Sequence, residues 1–258
     1  MGETSLKVVL IKYTPDPEEA VALAAKLCYS PLDIHDLKEG LIPGELESFI
    51  NKILSMGHLS TIEHVSFNFG IEGVSRALLA QITRHRIASF SVKSQRYVSE
   101  TANDKETFNY IIPPRIKELG EDYVKEYVEQ MKQMQLWYDK WYEALGGKKS
   151  EAGEDARFIL PNAAETKMIL TMNARELYHF FKLRCCNRAQ WEIRELSWQM
   201  LKLVKEVAPN IFAQAGPGCV ITKCPEGKMT CGNKDQVLSK YQSLKRSEVG
   251  SQKSEKGQ

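Results

Sequence analysis

The chain has 258 residues, of which 43% are hydrophobic and 26% charged, and its formal net charge is +2. This composition is typical of a globular protein with a sizeable core, arranged as one large domain or two small ones. A net charge this small excludes a general electrostatic attraction to nucleic acid, so an anion site would have to depend on locally clustered arginines.

No targeting or membrane signal is recognisable in the sequence. The apolar run at 7–12 is too short for a signal peptide, and no stretch approaches the roughly 20 apolar residues that span a bilayer. Six cysteines are too few for a disulfide scaffold in a chain of this length. We therefore expect a cytoplasmic protein in a reducing compartment, with neither a membrane nor a nucleic acid among its partners.

Hydrophobic periodicity and turn signals define the elements of the N-terminal half. Alternating apolar and polar residues predict the strands, and prolines followed by acidic residues predict the starts of helices. In chain order, the prediction is a strand at 6–13, helices at 15–28 and 43–57, a strand at 65–73, a helix at 75–84 and a polar loop beyond it.

The C-terminal half is predicted to be mainly helical. A long helix at 113–147 carries aromatic residues and methionines at helical spacing, a pattern for which core packing is favoured over base stacking. A strand at 165–172 and helices at 174–184 and 189–207 follow. From Gly232 onward the chain is polar and poor in aromatic residues, which predicts a frayed or disordered tail.

These elements predict an α/β fold with a long helical insertion. Neither an internal repeat nor a clear linker divides the chain. We therefore predict a single domain over 1–218, followed over 219–258 by a cysteine-containing segment and a flexible polar tail.

The densest cluster of functional residue types lies at 81–97, which holds three arginines, a histidine and three serines. Arginine presents a planar fork of donors that matches phosphate and carboxylate oxygens, and serine hydroxyls and loop amides can complete such a site. The alternative is a helix C-terminus whose cations interact favourably with the helix dipole. Composition alone leaves both interpretations open.

Within this cluster, the triplet R-H-R at 84–86 is followed after seven residues by Ser94. This R-H-R-x7-S pattern resembles the signature of the flavin-dependent thymidylate synthases. Two further segments resemble the same family: 57–64 fits its G-H-x-[ST]-x-x-E-H box before a strand, and 173–194 fits its N-x-R and L-R segments. The resemblance covers about residues 50–210.

The resemblance implies an activity, a cofactor and partners. Members of the family convert dUMP to dTMP, taking the carbon from 5,10-methylenetetrahydrofolate and the hydride from NADPH through FAD. The resemblance also implies a central antiparallel sheet flanked by helices, built here from strands near 6–13, 65–73 and 165–172. A homotetramer with shared active sites is implied as well. We thus expect an FAD-dependent methyltransferase.

The same resemblance assigns individual site residues. Arg184 matches the residue proposed to polarise the pyrimidine at N3, and it is therefore the expected catalytic residue. The expected flavin-binding positions are His58, Ser60, Arg84, His85, Arg86, Val92, Asn173, Ala174, Arg175 and His179. The expected dUMP-binding positions are Gln81, Arg84, Ser94, Gln95, Arg96, Arg157 and Arg184.

Arginine suits this chemistry for a physical reason. Carbon 5 of uracil is a poor nucleophile, and attack from it builds negative charge on the N3 and O4 side of the ring. A fixed guanidinium there stabilises the charge without being deprotonated. Hydride transfer belongs to the flavin, so the protein has to orient the ligands, and Ser94 is expected to bind rather than to act as a nucleophile.

Three positions depart from the family pattern. Val92 stands where glutamate is common, so a ligand contact there must use the backbone. Arg188 stands where many members have histidine, which leaves no histidine to act at that position. His179 replaces an asparagine, and since both side chains can donate a hydrogen bond, His179 is kept as a flavin contact.

No metal is expected. The two histidines near Glu63 lack the H-E-x-x-H spacing of a zinc helix. Cys219, Cys224 and Cys231 lack C-x2-C spacing and a fourth ligand, so we interpret them as free thiols, and Cys185 and Cys186 as packing residues on a helix. Because no G-x-G-x-x-G occurs, FAD is not expected on a Rossmann domain.

Two other functions are alternatives. A cysteine-dependent thymidylate synthase would attack carbon 6 with a thiolate, but nothing in the chain resembles the Pro-Cys-His site of that family. A nucleic-acid-binding module could use the arginine cluster and the aromatic helix, and it predicts steeply salt-dependent binding to polynucleotides.

Overall fold

The computed structural model describes residues 2–101, 106–147 and 150–251. Within them, four strands form an antiparallel sheet in the order β1-β2-β4-β3. The strands are β1 Lys7–Tyr13, β2 Ser66–Ser75, β3 Ala88–Val92 and β4 Glu165–Asn173. The predicted fold, an antiparallel sheet flanked by helices, is confirmed.

Strand β3 lies where the sequence predicted a polar loop, and that prediction is wrong. Its residues alternate between partly buried and exposed, with Ser89 and Ser91 at exposed positions. β3 is the last strand in the sheet order, so polar side chains on its exposed face are compatible with pairing on one side only.

The helices account for most of the remaining described residues. Short 3-10 turns lie at Pro43–Glu45, Leu59–His64, Arg157–Ile159 and Gly227–Met229. The α-helices are α1 Pro17–Leu27, α2 Ile34–Glu39, α3 Leu46–Ser55, α4 Arg76–Ile82, α5 Pro114–Glu118, α6 Glu121–Ala144, α7 Ser150–Ala156, α8 Ala174–Arg184, α9 Trp191–Val207, α10 Gly218–Ile221 and α11 Lys234–Ser251.

Two strands pass directly into helices through side-chain caps. Ser75 ends β2 and accepts a hydrogen bond from the Leu78 amide, which caps α4. Asn173 ends β4 and accepts one from the Glu176 amide, which caps α8. Such caps satisfy amides that the first helical turn leaves unpaired. The caps therefore fix where α4 and α8 begin, and with them the positions of the functional side chains on α8.

The long helix predicted at 113–147 is two helices. Gly120, with φ of 111°, separates α5 from α6. On α6, Met131 and Tyr138 are buried, whereas Tyr123 and Trp141 are about half exposed. The aromatic stripe thus contributes to the core only in the middle of the helix, where core packing was favoured.

The tail predicted to be frayed from Gly232 instead contains α11. Val237 and Tyr241 are buried and stand four residues apart, so they lie on one face of the helix. The Tyr241 hydroxyl donates to the Ala213 carbonyl at 2.7 Å. The helix was not predicted because the segment is mainly polar and its apolar stripe is short.

The chain forms two compact units, each assembled from separate segments. Unit 1 comprises Met1–Lys7, Gly70–Arg84 and Phe90–Leu170, and unit 2 comprises Val8–Phe69, His85–Ser89 and Thr171–Gln258. The core of unit 1 is built from Phe108, Tyr110, Ile112, Met131 and Ala164. In unit 2, the Phe212 ring lies 5.2 Å from that of Phe67 and 6.1 Å from that of Phe181, measured between ring centroids.

The assignment of a single domain to 1–218 stays a prediction. Among the described residues, none of the helices combines the length and the apolar character that a bilayer crossing requires.

Candidate active site

One face of α8 carries the central feature of unit 2. Glu176, Phe180 and Arg184 follow each other at four-residue intervals, which places them on one side of the helix. His85 lies against this face. Its ring stands edge-on to Phe180, with 4.9 Å between ring centroids, and both ring nitrogens have polar partners on α8.

Hydrogen bonds connect Glu176, His85 and Arg184 in series. His85 Nδ1 and Glu176 Oε1 are 2.9 Å apart, and Arg184 Nε donates to His85 Nε2 at 3.0 Å. A nitrogen that accepts from a guanidinium carries no proton, so this geometry selects the neutral histidine with its proton on Nδ1. His85 and Glu176 are only 5% and 8% exposed, which shields both bonds from water.

Burial lowers the pKa of His85 from its usual value of about 6.5. The hydrogen bond to Glu176 opposes this change, and the positive charge of Arg184 adds to the lowering. His85 therefore stabilises the fold at a pH above the unfolded-state pKa, and this stabilisation is lost as the pH falls through the lowered pKa of the folded state. The neutral ring is the form that can accept the Arg184 hydrogen bond.

The N-terminal turn of α8 packs against the 3-10 turn Leu59–His64 of the same unit. Arg175, on this turn of α8, forms an ion pair with Glu63, and both side chains are about half exposed. Ser60 is exposed on the 3-10 turn, and His58, just before it, bonds the Tyr29 hydroxyl at 3.0 Å. These positions together offer a guanidinium, a hydroxyl and an imidazole at one edge of unit 2.

The remaining predicted flavin positions differ widely in exposure. Arg84 and Arg86 are both exposed, so the arginines of the triplet face solvent while the histidine between them is buried. His179 is exposed, and its ring centroid lies 5.9 Å from that of His85. Val92, at the end of β3, is partly buried.

At two of the predicted flavin positions, polar groups are already hydrogen-bonded within the protein. The Asn173 side chain caps α8. Ala174 is fully buried, and its amide donates to the Val65 carbonyl at 2.9 Å.

Three of the predicted dUMP positions, Ser94, Gln95 and Arg96, lie in a turn at 94–98 of unit 1. The Ser94 hydroxyl accepts from the Arg96 amide at 3.2 Å, and the Val98 amide donates to the Ser94 carbonyl at 3.1 Å. Arg96 pairs with Glu154 at 2.7 Å. Arg157 Nε donates to the Glu154 carbonyl at 2.9 Å. Glu154 therefore contacts both Arg96 and Arg157.

Unit 1 also contains unpaired donors close to this turn. Within the described residues, Gln95 Nε2 and Arg76 Nε are buried and have no hydrogen-bond partner. Arg76 Nη2 donates to the Lys93 carbonyl at 3.1 Å. Burial lowers the pKa of Arg76, Glu100 opposes the change, and Arg157 adds to it. Buried donors without partners are costly unless a ligand or water satisfies them.

Two residues of these clusters were missed by sequence reasoning. In the sequence, Glu176 looks like an ordinary acidic residue in the first turn of a helix, directly after the matched Arg175. Arg76 is the first residue of α4 and follows its N-cap, Ser75. Their roles depend on partners that stand 91 and 17 residues away in the chain. A charged residue on a predicted buried helix face is the one signal that could have indicated Glu176.

Gly153 on α7 lies against the backbone of the turn at 94–98. A Cβ atom at this position would stand 2.8 Å from the Arg96 carbonyl oxygen and 3.2 Å from that of Gln95. Alanine normally stabilises a helix by about 0.8–1.0 kcal/mol relative to glycine. Here the backbone contact reverses that sign, and we expect Gly153→Ala to lower the melting temperature and to weaken dUMP binding roughly tenfold, about 1.4 kcal/mol.

Thermal unfolding and dUMP titration measure both effects. Gly44→Ala is the matched control, because a Cβ at Gly44 meets no atom within 4 Å. Unchanged dUMP affinity in Gly153→Ala, together with a raised melting temperature, would show that α7 does not position the turn.

Comparison with known proteins identifies the class to which this fold and these clusters belong. The family model described as thymidylate synthase complementing protein matches residues 9–210. The fold also resembles that of a UMP/dUMP methylase, PolB, from Streptomyces cacaoi, solved with 5-Br dUMP. The TM-score is 0.66 and the identity 23%, over 83% of this chain and 96% of that one.

Sequence relatives make the assignment more specific. The chain is 51% identical to a flavin-dependent thymidylate synthase of Geobacter sulfurreducens, over 93% of this chain and 99% of that protein. It is 49% identical to the one of Clostridium tetani, with the same coverage of both chains. The chain belongs to the family of flavin-dependent thymidylate synthases. This confirms the resemblance drawn from the R-H-R-x7-S pattern.

Proposed function

We propose that the chain catalyses the reductive methylation of dUMP to dTMP, with 5,10-methylenetetrahydrofolate as carbon donor and NADPH as the source of reducing equivalents through FAD. The observation that carries the proposal is the series of hydrogen bonds by which His85 connects Glu176 to Arg184 of α8. It orients a guanidinium of the kind this reaction needs, in a chain whose curated relatives are named for the reaction.

Arg184 is proposed as the catalytic residue. Negative charge develops on the N3 and O4 side of uracil when carbon 5 attacks, and a guanidinium held beside that edge stabilises the transition state more than the ground state. The acceptor nitrogen of His85 fixes the Nε side of Arg184. The guanidinium therefore does not have to be ordered at the moment of reaction.

The donor set of unit 2 fits FAD. The flavin, when bound, supplies the hydride chemistry that amino-acid side chains lack. We propose that Arg175 and Ser60 contact its phosphates, because a guanidinium and a hydroxyl suit a pyrophosphate. The exposed side chains of Arg86 and His179 remain flavin contacts in this proposal. His85 has both ring nitrogens engaged within unit 2, which supports a positioning role.

The cluster of unit 1 is proposed to bind the nucleotide. Arg96 and Arg157 are already oriented by Glu154, and they provide charge for a phosphate. The buried amide nitrogen of Gln95, which has no partner among the described residues, is available to a ligand oxygen. Ser94, Gln81 and Arg84 are kept as further dUMP contacts, and Val92 and Asn173 as flavin positions, on the resemblance alone.

Product formation tests the proposal. Purified protein is incubated with dUMP, FAD, NADPH and methylenetetrahydrofolate labelled in its methylene carbon. The nucleotides are then separated and their masses are measured by mass spectrometry. We expect labelled dTMP only when every component is present. Unlabelled dTMP would contradict the proposal that methylenetetrahydrofolate donates the carbon. Labelled dTMP formed without NADPH would contradict the proposal that NADPH is the reductant.

The assembly and location follow from the same resemblance. We propose a cytoplasmic homotetramer, which sedimentation equilibrium of the FAD-loaded protein tests directly. A monomer under conditions of full activity would contradict shared active sites.

A further inference from the structure

Four of the six cysteines line one cavity in unit 2, just beyond the C-terminal end of α8. Cys186 follows α8, Cys219 lies in α10, and Cys224 and Cys231 flank the 3-10 turn Gly227–Met229. The cavity has a volume of about 120 Å³. Cys186 is the fourth thiol that the spacing of the other three did not reveal.

The segments that carry these cysteines are in contact. Arg188 and Glu226 form an ion pair at 2.7 Å. A Cβ on Gly218 would stand 3.0 Å from the Pro225 ring and 3.6 Å from Lys182 Cγ, so α10 approaches both the end of α8 and the loop after Cys224. The four thiols are thus held around one volume by contacts that do not involve sulfur.

We propose that Cys186, Cys219, Cys224 and Cys231 form a tetrahedral thiolate site for Zn²⁺. Four thiolates are a common ligand set of structural zinc, and soft sulfur ligands select zinc over hard cations. A zinc ion with four thiolates carries two negative charges. Lys182 and Lys234 line the same cavity and supply two positive charges, and the charge of Glu226, which also lines it, is paired with Arg188.

Ligation requires the thiols to turn towards one point. Among the described residues, no three cysteine, histidine or carboxylate side chains are already arranged to hold an ion. Cys186, Cys219 and Cys224 are partly buried and Cys231 is exposed, and the proposal requires rotation about their Cα–Cβ bonds. Metal binding and ordering of such a site are expected to occur together.

The site would act as a structural clip. The segment between Cys219 and Cys231 contains only a four-residue helix and a three-residue turn, too little regular structure to fix its own backbone. Zinc would tie this segment to the residue two positions beyond Arg184. The assignment departs from our interpretation of these cysteines as free thiols, and it is independent of the proposed substrate chemistry.

The test is the metal content of the FAD-loaded full-length protein, expressed with zinc in the medium and measured by plasma mass spectrometry. We expect about one zinc per chain, and its loss from Cys186→Ser, Cys219→Ser, Cys224→Ser and Cys231→Ser. Cys28→Ser is the control, because Cys28 is exposed at the end of α1 and lies outside the cavity. Thiol titration before and after chelation gives a second readout that needs no variant.

Each outcome decides the assignment. Zinc in the unsubstituted protein and in Cys28→Ser, with thiols that react only after chelation, supports the site even if a serine variant fails to fold. Absence of zinc, together with free reaction of the four cavity thiols before chelation, would overturn it; Cys185 is buried and is not counted. A titration that finds two fewer cavity thiols in metal-free protein would indicate a disulfide and would also overturn it. Iron and sulfide in place of zinc would do the same.

Discussion

Arg184→Ala is expected to bind FAD normally and to lower kcat for dTMP formation by about 10²–10³-fold, the loss typical of removing one charge-stabilising donor. Arg184 is partly buried and its Nε is engaged by His85, so its orientation is set within unit 2. Removing the guanidinium leaves the charge on the pyrimidine without its stabilising partner. Stopped-flow reoxidation of the reduced flavin, with and without dUMP, measures the loss of dUMP dependence.

Two further variants make this result interpretable. Arg184→Lys keeps the charge but loses the planar fork, and it is expected to recover only part of the activity. Arg115→Ala removes an exposed arginine from α5 and should behave as the unsubstituted protein. Full activity of Arg184→Ala would remove Arg184 from the mechanism.

Glu176→Leu is expected to destabilise the fold by about 1–3 kcal/mol, because it leaves the Nδ1 proton of a buried histidine without an acceptor. The effect should extend to catalysis. Without Glu176, the His85 ring is free to turn, and Arg184 then loses the acceptor that orients it. We expect kcat to fall while KM for dUMP changes little, since the fixed guanidinium acts mainly in the transition state.

Glu176→Gln separates the charge from the hydrogen bond. Its amide oxygen can still accept from His85 Nδ1, so stability and turnover should be largely retained. The pH profile gives a sharper readout. Glu176 raises the pKa of His85 against the effect of burial, so its removal lowers that pKa further, and the acid limb of kcat should move to lower pH in Glu176→Leu.

A purely structural role for Glu176 makes a different prediction. It would lower the melting temperature of Glu176→Leu but leave the acid limb and the ratio of kcat to KM unchanged in the folded fraction. That result would contradict the positioning of Arg184 through His85.

Local signals in the sequence predicted most of the fold. Alternation located β1 and β2, β4 was predicted at 165–172, and helix α8 was predicted with the bounds Ala174–Arg184 that the structure has. These elements have long periodic patterns or strong caps. Strand β3 was missed because its serines occupy exposed positions of a short strand, so its alternation resembled a polar loop.

The motifs in the sequence predicted which residues belong to the candidate site, but not which of them are hydrogen-bonded to each other. The prediction assigned Arg84, His85 and Arg86 to the flavin, and Arg84 also to dUMP, whereas burial separates His85 from the two exposed arginines. The bond from His85 to Glu176 spans 91 residues of chain. Spacing within a motif cannot show such a partner, since it depends on how α8 packs against the chain at His85. The same holds for the cavity that brings Cys186 to three distant cysteines.

The most direct test of the central claim is the absorbance spectrum of the purified protein, recorded before and after addition of dUMP. We expect the spectrum of a bound flavin, or uptake of added FAD, and a change in that spectrum when dUMP binds. The change should be absent in the double variant that combines Arg96→Ala and Arg157→Ala. A colourless protein that takes up no FAD and does not respond to dUMP would contradict the account.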